Sequence, residues 1–152
     1  MTICIIPARS GSKRIKNKNI QKIGNKHLIG IVIRIARLSR IFKRIIVSTD
    51  SIKIAKIAKN YGAEVPFLRN KKLSNDYAPT YEVLIDCIKK IGSEKTPYHF
   101  CIYPTSIFMD KGDLKRAFKR IKKTKSNFIC PIQKFDSPPQ KSFHIKKKQH
   151  IL

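Results

Sequence analysis

Arg9, Ser10, Gly11, Ser12 and Lys13 stand together directly after an apolar run, and Lys16, Lys18 and Asn19 follow closely. Cations, small hydroxyls and a glycine in one short loop are the means of holding a polyphosphate. Gly11 lets the backbone bend at low steric cost. Successive backbone N–H groups in such a bend can converge on an anion, and Arg9 and Lys13 add full charges. The stretch matches neither G-x-x-x-x-G-K-[ST] nor G-x-G-x-x-G, so it would be a third type of phosphate loop. A solvated basic loop is the other reading of the same residues.

The elements that must position this loop follow from periodicity. Ile3-Cys4-Ile5-Ile6, ended by Pro7, reads as a buried parallel strand. His27 to Arg40 is predicted as a helix with Leu28, Ile31, Ile35 and Leu38 inward. Ile45 to Val47 is a second strand ending at Ser48-Thr49-Asp50. Ser51 to Tyr61 is a helix with Ile54, Ala55, Ile57, Ala58 and Tyr61 inward, stopped at Gly62. Val65 to Leu68 is a short third strand leading to Arg69. Thr80 to Ile91 is a helix burying Leu84, Ile85 and Ile88, and His99 to Tyr103 is a fourth strand. Asp113 to Lys123 is a helix with Leu114, Ala117, Phe118 and Ile121 inward, and Phe128 to Cys130 is a fifth strand. Beyond Lys134 no period is evident.

Strands alternating with helices imply βαβ units: an α/β fold, with a mostly parallel sheet covered by helices on both faces. Ligands of such sheets bind outside the carboxyl ends of the strands, near the switch in strand order. The first loop, Asp50, Arg69 and the Pro104-Thr105 corner all follow strand ends, so they can meet at one rim. Asp50 has a second reading, as the cap of the helix that begins at Ser51. Tyr103 likewise reads either as a strand-end aromatic on the core or as a substrate contact.

The chain has 152 residues, enough for one domain with a core. Lys and Arg total 34 against 9 Asp and Glu, a formal net charge of +25, and no acidic residue precedes Asp50. Such an excess favours anionic partners. Lysine and isoleucine are heavily used throughout, as a codon bias would also produce, and no aromatic stacking set or recognition helix accompanies the charge. Nucleic acid is therefore not expected as a partner. Cys4, Cys87, Cys101 and Cys130 form no C-x-x-C pair and each sits in an apolar run, so they are expected as small buried hydrophobes. A basic-then-apolar leader and an apolar run of about 20 residues are both missing. The expectation is a soluble cytoplasmic protein with no membrane partner.

PARSGSKRI followed by KNI closely resembles the opening signature of the cytidylyltransferases that activate nonulosonic acids. Four further stretches resemble that family in the same order: RIIVSTD at 44–50, GAEVPFLR at 62–69, LSNDYAPT at 73–80 and CIYPTSIF at 101–108. The resemblance implies a three-layer α/β/α, Rossmann-like nucleotidyltransferase domain, incomplete at its C-terminus. It implies that CMP passes from CTP to a nonulosonic acid, releasing pyrophosphate, for surface-glycan or flagellin glycosylation. By resemblance Arg9 and Lys13 are catalytic. Ala8, Arg9, Ser10, Gly11, Ser12 and Lys13 form the nucleotide loop, with Lys18 and Asn19 flanking it. Arg69, Ala78 and Thr80 lie at the base and ribose, and Tyr103 and Thr105 face the sugar.

Tyr103 before Pro-Thr, and the stretch Phe135 to Lys141, resemble the pseudaminic acid branch; sialic acid members usually carry Gln at the former position. Lys141 departs from the usual arginine, and lysine cannot form a planar bidentate fork. A sialic acid synthetase and an inactive CTP-binding remnant are the alternatives. The family uses Mg²⁺, held by an aspartate pair that is expected past this chain's end, together with a dimerisation extension. Asp110, Asp113 and Asp136 read as a helix N-terminal pair and a turn residue, so no metal ligand is assigned. Residues 1–133 are expected to form the nucleotide-binding domain, and residues 134–152 the start of a truncated sugar-binding and dimerisation region.

Overall fold

A computed structural model describes residues 2–13, 15–132 and 134. In chain order the elements are β1 (Thr2–Pro7), a hairpin of β2 (Lys22–Ile23) and β3 (Lys26–His27), α1 (Leu28–Ser39), β4 (Arg44–Ser48), α2 (Ile52–Asn60), α3 (Thr80–Lys90), β5 (Tyr98–Cys101) and α4 (Lys111–Thr124). Short 3-10 turns occur at Lys18–Ile20 and Lys71–Leu73.

The central strand is β1, whose apolar run is buried from Thr2 to Ile6. It pairs in parallel with β4 on one side and β5 on the other. Alternate residues of a strand point to opposite faces. Cys4 and Ile6 accordingly join Ile29, Val32, Ile33, Ile54 and Leu114, which come from α1, α2 and α4. Ile3 and Ile5 join Cys87, Leu84 and Ile88 from α3 on the other face. Helices thus cover both faces, which gives the expected three-layer α/β/α arrangement. A parallel strand buried on both sides has to be apolar at every position, which is why β1 reads as a continuous run.

Several expected elements differ. The third strand is reduced to two isolated parallel bridges, Ile46 with Glu64 and Thr49 with Leu68, because Pro66 breaks the ladder between them. These bridges still bring Arg69 beside the end of β4. Phe128 to Cys130 forms no strand, and Phe128 is 77% exposed. A run of three residues is a strand only if an edge pairs with it, and none does among the described residues. The β2–β3 hairpin was not expected from the sequence; it turns at Gly24-Asn25, with Gly24 at φ 55°.

On α1 the inward face is Ile29, Gly30, Val32, Ile33 and Ala36, whereas Leu38 is exposed. This helix is apolar over much of its circumference, so its sequence holds two candidate stripes. On α3 the buried residues are Val83 and Cys87, and Ile85 is exposed. The inward residues of α2 and α4 follow the expected pattern. Asp110 and Asp113 form a reciprocal capping box at the start of α4, as expected. Cys4 and Cys87 are buried, but Cys101 and Cys130 are exposed; Cys101 lies on β5, an outer strand of its sheet. No helix among the described residues is long and apolar enough to cross a membrane. Asp136, the stretch Phe135 to Lys141 and the proposed second region after Lys134 lie outside the described residues.

Candidate active site

From β1 the chain crosses to β4, continues outward to the bridged segment before Arg69, and returns through α3 to β5 on the other side of β1. The switch in strand order therefore falls between β1 and β5, at their carboxyl ends. A cleft of about 740 Å³ opens there, where ligands of open α/β sheets bind.

The structure brings Arg9, Ser12 and Lys13 to this cleft, together with Lys18 and Asn19. Arg69, Ala78 and Thr80 line its second side, and Tyr103 and Thr105 a third. Ala8, Ser10 and Gly11 do not line it. Ala8 is fully buried and donates its N–H to Ser48 O, 2.9 Å away, which extends the β1–β4 ladder. The Ser10 N–H donates to Asp50 Oδ1 at 2.8 Å, and its hydroxyl donates to Asp50 Oδ2 at 2.7 Å. The Ser12 N–H donates to Ser10 O at 2.9 Å. Two of the amides expected to converge on an anion, those of Ser10 and Ser12, are thus already engaged within the protein. Gly11 is not among the residues with positive φ, and a Cβ there would meet nothing within 4 Å.

Asp50 does not cap α2. Ser51 does, its side chain accepting from Ile54 N. Asp50 instead accepts both hydrogen bonds from Ser10, a contact across 40 residues of sequence. Asn19, only 7% exposed, donates from Nδ2 to Arg9 O at 2.9 Å and fixes the loop from the other side.

Arg9 and Lys13 both pair with Asp76, Arg9 with Oδ1 and Lys13 with Oδ2, the latter at 2.7 Å. Lys13 first, and Arg9 with it, hold the Asp76 carboxyl below its ordinary range. The segment that carries Asp76 is built by side chains. Asn75 Oδ1 accepts from the N–H groups of Tyr77 and Ala78, each at 2.8 Å. Asn75 Nδ2 donates to Lys72 O, and Asn70 Oδ1 accepts from Lys72 N. Asp76 stood in the LSNDYAPT stretch, but nothing local could show that it pairs with Lys13 and with Arg9, the latter 67 residues earlier.

Arg69 is 5% exposed, and among the described residues nothing accepts a hydrogen bond from its Nε or Nη2. Its backbone N–H is held by Thr49 O at 2.8 Å. Burial lowers the pKa of the guanidinium, and Arg9 adds to this, while Asp50 opposes it. A buried charge without a partner is costly, and Arg69 is one of the residues that line the cleft. Tyr103 is 48% exposed rather than packed on the core, and its hydroxyl lies 2.8 Å from Thr80 Oγ1. That contact ties the corner after β5 to the first turn of α3.

These residues do not by themselves suit Mg²⁺, which is usually held by one or two carboxylates beside substrate phosphates. Asp76 is the sole carboxylate lining the cleft among the described residues, and both its oxygens are engaged by cations. No cluster of three or more His, Cys, Asp or Glu side chains occurs among the described residues.

Residues 3–146 match the family described as Cytidylyltransferase. The chain is 36% identical over 98% of its length to a pseudaminic acid cytidylyltransferase of Campylobacter jejuni, of which it covers 65%. It is 46% identical over 57% of its length to a CMP-N,N'-diacetyllegionaminic acid synthase of the same species, covering 37% of that protein. The chain thus spans about two thirds or less of the length of these relatives. Among solved structures, a CMP:2-keto-3-deoxy-manno-octonic acid synthetase complexed with CTP shares the fold, with a TM-score of 0.68 at 17% identity, covering 82% of this chain and 48% of that one. Motif order, sheet topology and the matched span agree, and the chain belongs to the cytidylyltransferase family.

Proposed function

We propose that this domain binds CTP and that the protein transfers CMP to a nonulosonic acid, pseudaminic acid first, with loss of pyrophosphate. The observation that carries the reading is the cleft at the strand-order switch, where Arg9 and Lys13 pair with the Asp76 carboxylate and Nε and Nη2 of the buried Arg69 have no acceptor among the described residues. In the reaction the anomeric hydroxyl of the sugar acid attacks the α-phosphorus, and the bond to the β-phosphate oxygen breaks. Such displacements depend on alignment and on neutralising charge on the phosphate oxygens. Arg9 and Lys13 supply that charge, with Ser12 and Lys18 beside them. Arg69, Ala78 and Thr80 hold the base and ribose, and Tyr103 and Thr105 orient the sugar. Magnesium belongs to the same reading as a family expectation, with no ligand for it assigned among the described residues. A cytoplasmic setting and surface-glycan or flagellin glycosylation accompany it; a pseudaminic acid enzyme among the relatives supports the choice of sugar.

The test is pyrophosphate release from CTP with Mg²⁺ and either pseudaminic or N-acylneuraminic acid, alongside calorimetric CTP binding. Turnover with pseudaminic acid supports the proposal. Faster turnover with N-acylneuraminic acid moves the assignment to a sialic acid synthetase. CTP binding without turnover supports the remnant reading, and no CTP affinity with magnesium present removes the proposal. Lys13→Ala is expected to lower turnover about 10²-fold, the scale for losing one preorganised charge-stabilising group.

A further inference from the structure

Asp76 stands where the proposed triphosphate has to bind. One carboxylate takes both loop cations, one oxygen to each. The four hydrogen bonds made by Asn70 and Asn75 hold the segment that presents it. The contact is therefore a built feature of the cleft and not the chance meeting of two long side chains.

We infer that Asp76 is a built-in anion: in the free protein its carboxylate occupies the seat made by Arg9 and Lys13, and an incoming polyphosphate displaces it. This rests on the CTP reading above and goes beyond it, because it makes nucleotide capture an exchange of anions. Three observations support it. Arg9, Lys13 and Arg69 line one cleft, and Arg9 already disfavours the charge on Arg69. A fixed carboxylate holds such cations together before substrate arrives. The Asp76 and Arg9 side chains are about one-third exposed, at 31% and 32%, and Lys13 is 82% exposed. Ion pairs that open to water are individually weak, whereas a polyphosphate offers several charged acceptors at once. Asp76 is also two residues from Ala78 and four from Thr80, which line the same cleft. Its release therefore opens the phosphate seat directly beside residues that line the base side of the cleft.

The experiment compares wild type, Asp76→Asn and Asp76→Ala in the full chain, by calorimetry with inorganic tripolyphosphate and with CTP. Asn keeps the size of the side chain and removes the charge. Tripolyphosphate is expected to bind both variants about threefold to tenfold more tightly than wild type, the scale for freeing two exposed ion pairs. Unchanged or weaker binding overturns the inference. A measurement on wild type alone covers the case in which a variant misfolds. The Asp76 carboxyl, followed by NMR, should titrate at higher pH once tripolyphosphate saturates the protein. If tripolyphosphate binds and that titration does not move, the inference fails. Tightened tripolyphosphate binding without CTP affinity removes the proposed function and leaves the anion exchange standing. CTP binding with no tightening does the reverse, and no anion binding in any form of the protein overturns both.

Discussion

Replacing Arg69 by methionine should make the protein more stable and worse at binding CTP. The guanidinium is 5% exposed, and nothing among the described residues accepts from its Nε or Nη2. Replacing buried charge with apolar side chains of similar volume is commonly neutral or stabilising by about 1–4 kcal/mol. Methionine is unbranched and fills irregular space, but it is shorter than arginine, so the lower half of that range, about 1–2 kcal/mol, is expected. For a domain of this size that raises Tm by about 2–8 °C. The backbone bond from Arg69 N to Thr49 O survives the change. On the other side, a hydrogen bond made by a charged donor contributes about 1.5–3 kcal/mol, so losing two weakens CTP binding by about 10²-fold or more. Scanning calorimetry and CTP titration read the two effects separately. Arg69→Lys should restore little, because it keeps the charge and loses the planar fork. A variant that melts several degrees lower and binds CTP as wild type would refute the reasoning, since Arg69 would then be a structural side chain.

Gly11→Ala should melt with wild-type Tm and bind CTP as wild type, since a Cβ there meets nothing within 4 Å and Gly11 does not line the cleft. A loss of about tenfold or more in CTP affinity would place the phosphate against the main chain of this loop instead. Gly30→Ala should lower Tm by about 3–8 °C, because its Cβ would fall within the Tyr61 ring and overpacking outweighs the better helix propensity of alanine. An unchanged Tm would mean that Tyr61 moves freely aside. Burial lowers the pKa of both His27 and His99. Below the unfolded value of about 6.5 the unfolded chain therefore binds protons that the folded chain does not. Stability should fall as pH drops from 7 to 5, and His99→Gln should flatten that slope. The depressed carboxylates Asp76 and Asp113 lose their contribution only at lower pH.

The element alternation, the buried first strand and the gathering of strand ends at one rim were legible in the sequence. Each rests on local signals: a continuous apolar run, helical spacing, and side chains placed just after strands. Most of the residues expected around a nucleotide do line one cleft, because strand-end residues of a parallel sheet have nowhere else to meet. Ala8, Ser10 and Gly11 do not line that cleft; strand pairing takes up the Ala8 N–H, and Asp50 takes up Ser10.

Long-range packing decided the rest. Helical spacing along α1 predicts Leu28, Ile31, Ile35 and Leu38 inward, whereas packing against β1, β4 and α4 buries Ile29, Val32, Ile33 and Ala36. The third and fifth strands depended on edges that the sequence does not name. Asp50 reaches Ser10 over 40 residues and Asp76 reaches Arg9 over 67. Periodicity reports which face of an element is apolar, but a carboxylate in a polar loop gives no sign of which cation it will meet. Composition and spacing alone therefore determined what kind of sheet forms and where its ligand edge lies. Only the folded chain, by closing those distant pairs, decided which charges the edge leaves open and which it already fills.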